Sequence, residues 1–176
     1  MEDPAYAMAI GTFAPMLQSL SNLLEKGVEH ASDPNALTGA RLAPDMYTLA
    51  QQVQLACHHA QDGAGRLMGQ APRPPETAEQ SMAALKAAIA KTIDDLKAAP
   101  EAAFDGAADK AITIPISDDT AFEMNGLQFL RDWALPHFYF HVVTAYDILR
   151  HQGVEIGKRD YLSHVGGYIR PRRSKD

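Results

Sequence analysis

Apolar residues recur at alternating intervals of four and three through the first part of the chain, at Tyr6, Ile10, Phe13, Leu17, Leu20 and Leu24. That spacing keeps them on one face of an α-helix. Asp3-Pro4 supplies an N-cap and a first-turn proline, and Pro15 inside the pattern predicts a kink or a later start. A second stripe opens at Ala43-Pro44 and runs through Met46, Leu49, Val53, Cys57, Ala60, Ala64 and Leu67 into a linker over residues 69–75. Gly63 and Gly65 weaken its last turns by about 1 kcal/mol each relative to alanine, which predicts a frayed end or one packed closely on a neighbour. A third stripe, Met82, Leu85, Ile89, Ile93 and Leu96, follows Thr77 and Gln80 at the spacing of a capping box and stops before Pro100.

The period then changes. Residues 112–116 and 120–124 are short β-prone runs around Ser117-Asp118-Asp119, the pattern of a small hairpin with Pro115 at an edge. Asn125 and Gln128 restart helix with a second capping-box spacing, and the fourth helix runs to about Gln152 and closes at Gly153. A short ordered extension covers residues 157–162. Four amphipathic helices and one minor hairpin predict an all-α helical bundle with the hairpin between helices 3 and 4. The domain is expected over residues 1–165, with a mobile basic tail over 166–176 carrying Arg170, Arg172, Arg173 and Lys175.

The fourth helix carries the chemistry. His137 and His141 stand four residues apart, so both imidazoles lie on one face about a turn apart and can reach one metal ion. With His137 as zero, Leu130, Trp133, Thr144, Ile148 and His151 fall within roughly 40° of it, while Arg131, Asp132 and Arg150 point away. The pair therefore belongs to the buried stripe, with Trp133, Thr144, Ile148 and His151 as the expected pocket lining. A buried pair of this kind is either a divalent-metal site or a core pair hydrogen-bonded to Gln54, Thr144 or water. Without metal at least one ring must stay neutral.

Composition narrows the function classes. A chain of 176 residues with 46% hydrophobic and 22% charged residues is globular. A net charge of −6 argues against nucleic acid as a partner, and no apolar run approaches the ~20 residues of a membrane span. The acidic start, Met1-Glu2-Asp3-Pro4, lacks the basic region of a secretory signal, and a cytoplasmic location is expected. Cys57, a single cysteine, reads as a small core residue, and His58-His59 as surface. Phe138, Ala145 and Leu149 extend the apolar face of the fourth helix beyond one stripe and lead us to expect a homodimer.

Three blocks carry a resemblance: residues 40–46 (Ala40-Arg41-Leu42-Ala43-Pro44-Asp45-Met46), residues 52–56 (Gln52-Val53-Gln54-Leu55-Ala56), and Phe140-His141 with Thr144-Ala145-Tyr146, Leu149-Arg150-His151, Gly153-Val154 and residues 157–162. They resemble an uncharacterised bacterial family known as a domain of unknown function, itself similar to the DinB/YfiT-like four-helix bundles. The match runs to about Leu162. The resemblance implies an up-down-down-up bundle, frequent dimerisation, and a divalent metal such as zinc, nickel, iron or manganese held by three histidines. It also implies metal-dependent transferase, isomerase or hydrolase chemistry on a small molecule or a low-molecular-weight thiol. His137, His141, Leu149, Arg150 and Gly153 match the superfamily spacing, but counting back from Leu67-Met68-Gly69 puts the third ligand near Gln54. A glutamine amide is a weaker donor than imidazole or carboxylate. His58 is the alternative third ligand. With Val53 as the centre of the second stripe, His58 lies ~140° off on one side and His59 ~120° off on the other, so neither faces the expected core. Two functions follow: a metal-dependent enzyme using His137, His141 and a third ligand from Gln54, His58 or water, or a non-catalytic dimeric module with an incomplete metal site.

Overall fold

In the computed structural model of the chain, which describes residues 3–78 and 80–170, four long helical segments enclose one apolar core. Helix α1 (Pro4–His30) is capped by the Asp3 carboxylate, which accepts from the N–H groups of Ala5 and Tyr6 at 2.8 and 3.1 Å. It continues through Pro15 without a break. The bond lost at an internal proline costs roughly 3 kcal/mol; Phe13, Leu17 and Leu20, all fully buried, hold the helix together across it.

Helix α2 (Leu49–Leu67) starts after the expected Ala43-Pro44. Thr48 and Gln51 form a reciprocal capping box, with N–H to side-chain oxygen distances of 3.3 and 2.9 Å, and this satisfies two end donors that Pro44 could not. Helix α3 (Met82–Ala98) is likewise capped by Ser81, which accepts from Ala84, and not by the Thr77 and Gln80 pair. Between them the chain is tied back onto α2: the Arg73 N–H donates to Asp62, and Ala78 exchanges two hydrogen bonds with Gln54.

The hairpin forms as the pattern predicts. Strands β1 (Ala111–Pro115) and β2 (Ala121–Asn125) pair antiparallel, with Ile114 opposite Phe122 and Ile112 opposite Met124. Directly opposed residues share a face, so Phe122 and Met124 lie on the side that Ile112 and Ile114 press into the core. Gly126 begins the next helix where a Cβ would stand 1.8 Å from the carbonyl oxygen of Ala107, so only glycine fits.

The last long segment is a rod of three parts: α4 (Gly126–Phe129), a π-helical turn (Leu130–Ala134) and α5 (Leu135–His151). Asn125 and Gln128 cap it reciprocally at 2.9 Å, as expected. The wide turn has a cause in the sequence. Pro136 has no N–H to give, and the Leu135 N–H reaches back five residues to the Leu130 carbonyl, so the helix accommodates the proline with a π-bulge. The rod closes at Gly153, whose φ of 87° is available to glycine; the N–H groups of Gly153 and Val154 bond to the carbonyls of Arg150 and Leu149.

Phe138, Ala145 and Leu149 are completely buried within this single chain. Packing consumes them, and they offer nothing to a second copy. The short helix α6 (Lys158–Tyr161) docks on α1 through a 2.7 Å bond from Lys26 to Asp160, and a 3-10 helix (Ser163–Tyr168) follows. Residues 171–176, with Arg172, Arg173 and Lys175 of the basic tail, lie outside the described residues. Among the described residues no helix is long and apolar enough to cross a membrane.

Candidate functional site

Helices α2 and α5 meet where the chain is thin. A Cβ on Gly63 would come within 3.1 Å of the Phe13 ring and 3.2 Å of Ala134, so the glycine lets α2 approach α1 and the π-turn closely. Phe13 meets Phe138 edge-on at 5.0 Å in the same region. One turn before Gly63 stands His59, and this approach brings its ring against both histidines of α5. Ring centroids are 5.1 Å apart for His59 and His137, and 5.2 Å for His59 and His141. The second pair is stacked, with 8° between planes.

The α5 histidines are oriented by carbonyl oxygens. His141 Nδ1 lies 2.7 Å from Gln52 Oε1, and His137 Nδ1 lies 2.8 Å from the Trp133 carbonyl. Both partners only accept, so each Nδ1 donates, and Nε2 is the nitrogen that carries the lone pair in the neutral ring. Gln52 is itself 1% exposed, and its amide nitrogen donates to the Tyr47 carbonyl at 3.4 Å, which turns Oε1 toward His141. Burial, then repulsion from His137 and His58, lowers the His141 pKa to about 4. Burial followed by the other three histidines lowers His59 to about 3. Burial also lowers His58. His59 and His141 are therefore neutral at ordinary pH, and the fixed charges that act on His58 and His59, Asp62 and Arg66, are paired with each other at 2.7 Å.

Gln54 is placed elsewhere. Its side chain accepts the Ala78 N–H at 3.1 Å and donates to the Ala78 carbonyl at 3.0 Å, which spends both ends of the amide on the α2–α3 crossover. His58 is half-buried and meets His59 edge-on at 5.1 Å, on the outer side of the cluster. Of the expected pocket residues, Trp133 lies on His137 at 4.5 Å, whereas the Thr144 hydroxyl is bound to the Phe140 carbonyl at 2.7 Å and Ile148 is core. His151, in the last turn of α5, is exposed and takes no part. Cys57 is buried and its thiol is pushed up to about 11 by burial, so it is a core residue and not a nucleophile.

Periodicity puts His59 at the surface, ~120° from the centre of its helix's apolar stripe. That angle misleads, since α2 is flanked on both sides. Buried Gln52, Ala56 and Gly63, with half-buried His59, form a second arc toward α5, while Gln54, Cys57 and His58 face the crossover and α3. The visible signal was Gly63, one turn after His59, which marks the close approach. As they stand, no three His, Cys, Asp or Glu side chains among the described residues close on one ion. The His59 and His141 rings lie nearly parallel, with centroids 5.2 Å apart.

A family model described as "Domain of unknown function (DUF1993)" matches residues 5–162. The chain belongs to this family. The DUF1993 chain is also similar to a solved structure, the crystal structure of a DinB family member from Shewanella denitrificans at 1.83 Å resolution. The two share 36% identity over 97% of this chain and 95% of that one, with a TM-score of 0.82. This DUF1993 chain is therefore DinB-like in sequence as well as in fold. Comparison with curated proteins gives no significant match.

Proposed function

We propose that this DUF1993 protein binds a divalent transition metal through His137, His141 and His59, and is an enzyme of the transferase or hydrolase type acting on a small molecule or thiol. The supporting observation is the orientation of the two α5 rings. Each has its Nδ1 proton held by a carbonyl oxygen, at 2.8 and 2.7 Å, the outer-shell arrangement that presents Nε2 to a metal. The donor set fits: three imidazoles, two of them held neutral by burial, are suited to zinc, nickel or iron. Half-buried His59 completes the set by turning out of its stack with His141. His137, His141 and His59 would hold the ion, and the chemistry it would supply there is Lewis-acid activation of a water or thiol nucleophile.

The same reading takes the four long segments as an up-down-down-up bundle. Ala78, just ahead of α3, sits beside Gln54 near the start of α2, and Arg73 beside Asp62 farther along it. The crossover thus runs back along α2, and α3 sets off from the end where α2 began.

A second reading, a non-catalytic module that keeps the bundle without a metal, is favoured by the His59–His141 stack. The two separate by titration of protein purified without a histidine tag and stripped with chelator. The enzyme reading expects stoichiometric uptake of zinc, nickel, iron or manganese and a raised Tm. No uptake of any of the four overturns it.

A further inference from the structure

Aromatic side chains continue the histidine cluster outward on two sides. On one, the Trp133 ring lies 4.5 Å from His137 and the Phe122 ring, delivered by the hairpin, lies 5.4 Å from Trp133. On the other, Phe140 meets His141 edge-on at 5.4 Å. Phe122 is 47% exposed and Phe140 59%, although a neighbour two residues from the latter, Phe138, is wholly inside the core. The fold leaves about half of each of these two side chains uncovered. The fold holds these two beside the cluster, where a flat apolar body would cover them.

The charges bordering this mouth are self-contained. Arg131 and Asp132, next to Trp133, form a two-pronged ion pair at 2.7 and 2.6 Å, and Asp62 is held by Arg66. Among the described residues these four charged side chains are already paired with one another, which disfavours a ligand carrying several charges.

We infer that the cluster opens through an aromatic mouth that takes an uncharged, flat, apolar compound, lying against Phe122, Trp133 and Phe140 with one polar group toward the histidines. This deepens the metal-site reading and rests on it for the chemistry, while the binding surface is made of side chains alone. The competing occupant, a second copy of the chain seated on Phe140, is an outcome of the test.

The chain has one tryptophan, Trp133, so the signal is read from one position in this mouth, and the phenylalanine variants locate the bound probe. Protein held metal-free by chelator is titrated with N-phenyl-1-naphthylamine, an uncharged aromatic probe, and with its sulfonated anionic analogue. The expected result is saturable quenching of Trp133 by the neutral probe, weaker binding of the anion, and binding about three- to tenfold weaker in Phe122→Ala and in Phe140→Ala. Both side chains are exposed, and matched thermal melts check that the variants fold. Three results each overturn the inference: no saturable response, wild-type affinity in both variants, or a wild-type dimer that hides the face and dissociates on Phe140→Ala. Metal uptake is read separately on the same preparation. Uptake without probe binding removes only the aromatic mouth; probe binding without uptake leaves the mouth and removes the metal.

Discussion

The imidazole of His59 lies face to face with that of His141, 5.2 Å away and 8° from parallel, on a helix face that hydrophobic periodicity assigns to solvent. It gives α2 a ligand candidate at the cluster, a role Gln54 cannot fill while it holds Ala78.

Burial of His59 and His141, and then repulsion among the histidines, makes the metal-free protein acid-sensitive. His59 and His141 have folded pKa values near 3 and 4, below the 6.5 of an unfolded histidine. Below 6.5 the unfolded chain takes up these protons first, so stability is complete above that pH and is lost as pH falls toward 4 and then 3. Urea melts from about pH 7.5 to about pH 4.5 should show the midpoint falling, with a shallower fall in His59→Ala.

Gln52 is expected to act through His141. Gln52→Leu removes the acceptor for Nδ1, so metal affinity should fall about 10- to 100-fold and stability by about 1–3 kcal/mol. Gln52→Glu keeps the acceptor and should retain binding. Calorimetric titration of both variants checks this.

Much of the fold was legible because its signals are local. Asp3, the Asn125–Gln128 box, Gly153 and the alternation around Ser117 each act on their own neighbours. The α2 start was not, because the Thr48–Gln51 box competes with Pro44 and only their relative strength decides. The site was half legible. His137 and His141 share a helix and their spacing shows it, whereas His59 depends on which neighbours flank α2, a relation set by packing.

Gln54→His separates the two placements of the third ligand. It should leave metal affinity unchanged and cost about 1–3 kcal/mol by releasing the Ala78 backbone. Thermal melts with and without added zinc test both parts.

Gly63→Ala should destabilise the protein. Alanine is the better helix former by about 1 kcal/mol, but its methyl would press on Phe13 at 3.1 Å and Ala134 at 3.2 Å, and overpacking of this kind costs about 1–3 kcal/mol. A lower Tm, with less metal bound because α2 is pushed off α5, is the expected outcome.

The most direct test is calorimetric titration of metal into the wild type and four single variants, His58→Ala, His59→Ala, His137→Ala and His141→Ala. The account predicts stoichiometric binding to the wild type and to His58→Ala, and its loss in the other three. Wild-type affinity in His59→Ala, or no binding to the wild type, would contradict it.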